Sequence, residues 1–230
     1  MKQFPAFFFV CITMFFVLSC AGVDPSKKYP YMVANADPVS AGMIEVGFDR
    51  MGLSRSGKLN KVEVEVIFYP RLNSAALEFR YETVKYRQFW DATGRVQFAN
   101  ALERYKQDRA ARVLIQKYNK TRAVYGKVKG RAEWETFRFS KVRISHPVIE
   151  LGYRFRGETP LFTTLMRSAK EEDTGSSENM ESRQITMYFT RAQADELVKL
   201  FNQEYLMGLL PVNNKEPVPA IPADDGYYDD

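Results

Sequence analysis

Cysteine is nearly absent from this chain of 230 residues. Its two cysteines, Cys11 and Cys20, both lie in the first twenty residues. A body stapled by disulfides is therefore excluded, and the fold must be held by burial of apolar side chains. Histidine is scarcer still: His146 stands alone. One imidazole and no thiolate in the body leave no ordinary zinc site. A Ser-His-acid triad would have to use His146, directly before Pro147, and no G-x-S-x-G elbow accompanies it. No phosphate loop or dinucleotide fingerprint occurs, since Gly126 and Gly130 stand in a strand-like context. The one long apolar run, Phe4 to Leu18, spans ~22 Å as a helix, short of the ~30 Å hydrocarbon core. Aromatic residues are abundant, with 17 Phe and 13 Tyr, and they supply the means for a core.

The apolar run follows Lys2 and closes on Val17-Leu18-Ser19-Cys20, which reads as a cleaved export signal. These four residues resemble a bacterial lipobox, the site of the lipoprotein signal peptidase. The resemblance implies that residues 1–19 are removed and that Cys20 is acylated, with palmitate among the expected chains. The protein would then be a lipoprotein of the cell envelope, attached to a membrane through Cys20. Ala21 follows it, and by resemblance to the sorting rule of many diderm bacteria this implies the outer membrane. No motif in the remaining chain indicates a family.

Charge is unevenly distributed. Residues 43–167 hold 25 Lys/Arg against 13 Asp/Glu, whereas 168–182 and 211–230 each hold five acids and one base. A basic body thus carries two acidic segments. After an export signal the expected counterparts are anionic lipid, an acidic envelope polymer or a protein partner, and nucleic acid is disfavoured.

Residues 20–42 carry three prolines and little periodicity, as expected of a lipidated Cys and flexible tether. A single domain is expected over 43–210, with an acidic loop at 168–182 and a disordered Pro-rich acidic tail at 211–230. Val62, Val64, Val66 and Phe68 alternate with polar residues, and so do Leu77, Phe79 and Tyr81. Period two predicts two strands of an antiparallel hairpin. Phe98, Leu102 and Tyr105 recur at helical spacing, predicting a helix over about 94–118 capped by Asp91 or Thr93. Alternation returns over 122–145, too long for one strand, with bends expected at Gly126 and Gly130 or a turn near Glu135-Thr136. Strands near 149–155, 161–167 and 184–189 follow, the last two paired. Thr190-Arg191-Ala192-Gln193 fits a capping box, opening a helix over 191–207. The fold class is α+β: about seven mostly antiparallel strands in a curved sheet packed by two helices.

Tyr125, Lys127, Lys129 and Arg131 share one parity and form a candidate anion-binding stripe. Phe79, Tyr81, Tyr153 and Phe155 are candidates to line a hydrophobic pocket between sheet and helices. That layout resembles, in outline, lipoprotein-sorting factors of the LolA/LolB type, and the resemblance implies a carrier or chaperone of a lipid or hydrophobic ligand. Glu63 and Glu65 lie two apart on a strand, a spacing compatible with a carboxylate-dependent envelope hydrolase. No catalytic residue, metal ligand or cofactor is predicted. The expected function is non-catalytic: a binding or structural envelope protein, not an enzyme.

Overall fold

The computed structural model describes residues 36–49, 59–116, 124–136, 139–172 and 180–211. The expected export signal, Cys20, Ala21, most of the expected tether, the centre of the acidic 168–182 segment and nearly all of the acidic tail lie outside them. The elements run β1 (Val39–Phe48), β2 (Asn60–Tyr69), β3 (Ser74–Tyr81), β4 (Val84–Trp90), α1 (Ala92–Ala110), β5 (Gly126–Lys129), β6 (Arg131–Thr136), β7 (Phe139–Ser145), β8 (Val148–Arg156), β9 (Thr159–Met166), β10 (Ile185–Phe189), α2 (Arg191–Leu200) and α3 (Gln203–Gly208). The class is α+β as expected. The described residues hold ten strands and three helices instead of about seven and two.

All strand pairs are antiparallel, in the order β5-β8-β9-β10-β1-β2-β3-β4-β6-β7. β5 heads this order and β6 stands near its far end, yet only Gly130 separates them in the chain. One residue spans ~3.8 Å, so the sheet must curl until its two ends meet. β5-β6 and β7-β8 are two arms of one long hairpin, bent where Gly130 N–H donates to the Pro147 carbonyl at 2.9 Å. The lower half of the hairpin pairs with β9 and its upper half with β4. A Cβ on Gly130 would stand 2.6 Å from Ile149 Cδ1, so this position requires glycine for close approach.

The inner face of the curl is apolar. Val64, Val66 and Phe68 of β2, Leu77 and Phe79 of β3, and Phe162 and Phe189 of β9 and β10 are buried there. Helix α1 lies across it with Phe98, Ala101, Leu102 and Tyr105 facing in. Phe98 is the hub, with ring centroids of Trp90, Phe162, Phe189 and Phe201 at 5.7, 5.4, 6.0 and 5.6 Å. β1 and β10 share only two paired positions, Gly47 with Tyr188 and Phe48 with Met187. α2 packs against β1, β10, β9 and α1 beside this junction, through buried Ala194, Leu197 and Leu200.

Both helices end earlier than periodicity predicts. Asp91 caps α1, accepting from Gly94 N–H at 2.5 Å. The helix stops at Ala110 because Arg112 adopts a left-handed conformation (φ 57°). The Thr190 capping box is present, but Asn202 interrupts the expected 191–207 helix by accepting from Tyr205 N–H and starting α3. Arg95 joins these parts. Its guanidinium donates to Asn73 O at 2.7 Å, Trp90 O at 3.1 Å and the Gln203 side chain, tying α1 to the β2–β3 turn and to α3. Burial lowers its pKa to about 10, so it remains a cation at neutral pH.

Beside the bend, where β7 runs into β8, the curl is sealed by a strap. The chain leaving β9 bridges β7 at Ser145–Glu171 and meets the chain entering β10 at Lys170–Glu181. The flanks of the acidic 168–182 segment are therefore hydrogen-bonded, not a mobile loop. Arg143 and Glu171 form a buried ion pair beneath the strap, at 2.5 Å.

Two outcomes follow for stability. Phe98→Ala should cost about 3–5 kcal/mol in urea unfolding, since four buried rings lose their common contact. Glu171→Ala should cost about 3–5 kcal/mol by taking the carboxylate away from buried Arg143, whereas Arg143→Met with Glu171→Met should cost much less than that single change.

Candidate functional site: an arginine-bearing end of the curled sheet

The predicted anion stripe does not exist as one surface. Gly126 takes φ 141°, which breaks the two-residue alternation, so Tyr125 and Val128 both point inward. Tyr125 is buried against Tyr105, Tyr153 and Phe162, with centroids 6.3, 6.2 and 6.4 Å away. Lys127 and Lys129 are exposed on β5. Arg131 belongs to β6, pairs with Glu133 at 2.8 Å and lies over the Phe89 ring. The four residues are therefore split between a core position, an edge strand and an ion-paired outer face.

Cations do gather around Tyr125, but they come from α1 and α2. The Arg104 guanidinium lies 5.7 Å from the Tyr125 ring centroid. Arg109 hydrogen-bonds the Tyr105 hydroxyl, and that hydroxyl donates to Pro160 O at 2.7 Å. Arg191, at the start of α2, acts on the same tyrosine electrostatically. Arg112 closes α1. All four arginines are exposed, and none has a carboxylate partner among the described ion pairs. The acids alongside are already engaged: Asp108 accepts from Tyr125 at 2.9 Å, while Glu103 and Asp195 bind Lys106 at 2.7 and 2.5 Å. Positive charge is thus in excess at this end. Arg109 and Arg191 border a groove of about 460 Å³ with Thr159, Leu161, Thr190 and Asp195.

Exposed aliphatic side chains share this end. Val113, Ile115 and Val124 are exposed, although helical continuation to 118 would have placed Val113 on the stripe. Ile115 N–H donates to the Tyr153 hydroxyl at 3.1 Å, and Val124 precedes Tyr125, so both flank the Tyr125–Tyr153 pair. The candidate pocket residues fall in two clusters. Phe79 and Tyr81 pack on Phe48, and Phe79 also on Tyr86, whereas Tyr153 packs on Tyr125 and Phe155 on Tyr153.

Glu63 and Glu65 lie on the outer face of the sheet. Glu63 stands opposite Glu45, and Glu65 opposite Glu78. Burial pushes the Glu78 carboxyl up, but hydrogen bonds from Lys85 and Arg87 outweigh it and hold Glu78 below the usual carboxylate range. Among the described residues no three His, Cys, Asp or Glu converge as metal ligands, and no helix is long and apolar enough to cross a membrane.

Residues 34–208 match the model of a family described as an uncharacterised Treponema protein. The chain belongs to this family. The match covers the curled sheet with its helices and ends before the acidic tail. No curated protein and no solved structure matches.

Tyr125 gives the site a pH signature. Burial, then the hydrogen bond to and charge of Asp108, raise the pKa of its phenol far above the ordinary tyrosine value. A raised folded-state pKa favours the protonated native form, so this stability is complete below about pH 10 and declines above it. Denaturation midpoints measured from pH 8 to 11 should fall at the alkaline end, and Tyr125→Phe should flatten that fall.

Proposed function

We propose that this chain is a lipid-anchored cell-envelope protein with a non-catalytic binding role, whose arginine-bearing end rests on an anionic lipid surface. The observation that carries this reading is the sharing of one end by Arg104, Arg109, Arg112 and Arg191 with exposed Val113, Ile115 and Val124. Cations draw anionic head groups, and exposed aliphatic groups gain by entering the interface. An acidic envelope polymer would use the charge but leave the aliphatic side chains in water. The lipobox supplies the anchor: acyl chains on Cys20 contribute ~0.8 kcal/mol per buried methylene, so more than one chain gives stable attachment. Ala21 favours the outer membrane.

A carrier of a hydrophobic ligand is the second reading. A curled sheet covered by helices favours it in outline. Against it, Phe98, Phe162, Phe189 and Phe201 already fill the space between sheet and helices. The carboxylate hydrolase is weaker still: Glu63 and Glu65 face only the carboxylates Glu45 and Glu78 across the sheet, and Glu78 is held by Lys85 and Arg87.

The test separates the anchor from the surface. Wild-type cells fed labelled palmitate should label the protein, and Cys20→Ala should abolish the label. The unacylated Cys20→Ala chain should then float with vesicles containing phosphatidylglycerol at low salt and dissociate as salt rises. Reversing Arg104, Arg109 and Arg191 to Glu should weaken that binding by about 100-fold, at ~1 kcal/mol for each basic residue lost. Equal binding to neutral vesicles, or no change on charge reversal, would defeat the surface reading and leave the anchor standing.

A further inference from the structure

The opposite, sealed end of the curl contains polar groups that the protein itself does not satisfy. Gln88 of β4, Ala132 of β6 and Ser145 of β7 are cross-strand neighbours in one row, and Ser145 bridges Glu171 of the strap. The row faces inward, because Ala132 belongs to the buried core and Gln88 shares the parity of Tyr86 and Trp90. Gln88 is 1% exposed and Ser145 0%. Yet both amide atoms of Gln88 and the Ser145 hydroxyl have no hydrogen-bond partner among the described residues. Buried polar groups are paired in the great majority of folded proteins, with ordered water when no protein atom serves.

The register supplies the geometry. Directly opposed Cβ atoms are ~4.5–5.5 Å apart, so the Cβ atoms of Gln88 and Ser145 lie about 9–11 Å from each other across Ala132. The glutamine amide reaches ~3.5–4 Å beyond its Cβ and the serine oxygen ~1.4 Å, from ordinary bond lengths. A gap of ~4–6 Å remains over the alanine methyl. That is too wide for a direct hydrogen bond, but two bonds of ~2.8 Å meeting at one oxygen span it. The amide offers a donor and an acceptor, and so does the hydroxyl. An ion would lack a free counter-charge there, because Arg143 and Glu171 already neutralise each other.

We propose that the space over Ala132 is a buried binding site for a small uncharged oxygen-bearing molecule, held between Gln88 and Ser145. The chemistry is that of a hydroxyl group, whether it belongs to water or to a small alcohol. The site is independent of the lipid-facing end and of the anchor.

Crystals of the full chain, with and without an ethylene glycol soak, test the site directly. Density within hydrogen-bonding distance of both the Gln88 amide and Ser145 Oγ is expected. Replacement of that density by glycol would identify a site open to alcohols, and its persistence unchanged would identify a bound water. An empty space, or Gln88 turned onto a protein partner, would overturn the proposal. A stability measurement gives a second readout with opposite signs for the two cases. If the site is occupied, Gln88→Leu with Ser145→Ala removes satisfied hydrogen bonds and should lower the Tm by about 2–6 °C. If the site is dry, the same change removes stranded polar atoms, and an unchanged or raised Tm would refute the occupant.

Discussion

Closure of the sheet at Gly130 is the constraint on which the rest depends. One N–H to the Pro147 carbonyl marks the point where a long hairpin leaves one end of the sheet and joins the other. Without that bend, β6 could not pair with β4 while β8 pairs with β9, and the inner face would open to water. Because the bend exists, a single concavity forms, α1 crosses it, and the chain's abundant aromatic residues find one another. The glycine is set by space: Ile149 occupies the volume that any Cβ would need.

The two ends of the curl differ in chemistry because different elements finish them. The end beside the bend is finished by the strap, whose backbone bridges and Arg143–Glu171 pair enclose polar side chains away from solvent. The other end is finished by the C-terminal turn of α1 and the N-terminal turn of α2. Helix surfaces there carry long cationic side chains, which stay in water while Tyr105 and Tyr125 close the core beneath them. An end closed by the Arg143–Glu171 pair and an end rich in exposed arginines are therefore consequences of one topology. The second suits contact with an anionic surface, and the first suits enclosure of a small polar guest.

Much of the fold was legible where local chemistry alone decides the outcome. The β2–β3 hairpin follows from clean alternation around Pro70, the β9–β10 pairing from two apolar strands, and the start of α2 from Thr190 and Gln193. β1 was hidden by a bulge between Ser40 and Gly42, which breaks its period. The ends of the helices were missed because apolar residues continue past Ala110, and Phe201 and Tyr205 continue the stripe past Leu200. A left-handed Arg112 and a capping Asn202 override that pattern. The candidate stripe failed for a related reason. Period two was carried through Gly126, whose conformation resets which residues face inward, so Tyr125 entered the core and its expected companions did not.

By itself, the sequence determined the class of the fold, the paired strands with regular alternation, the capping box and the separation of a basic body from acidic segments. Those properties depend on neighbours within a few residues, whose hydrogen bonds and burial repeat with a fixed period. Only the tertiary structure decided that the sheet closes, that Arg104, Arg109 and Arg191 converge on one end, and that Gln88 and Ser145 face each other across Ala132. Those placements join residues tens of positions apart, and no local period encodes which strands meet once a sheet curls.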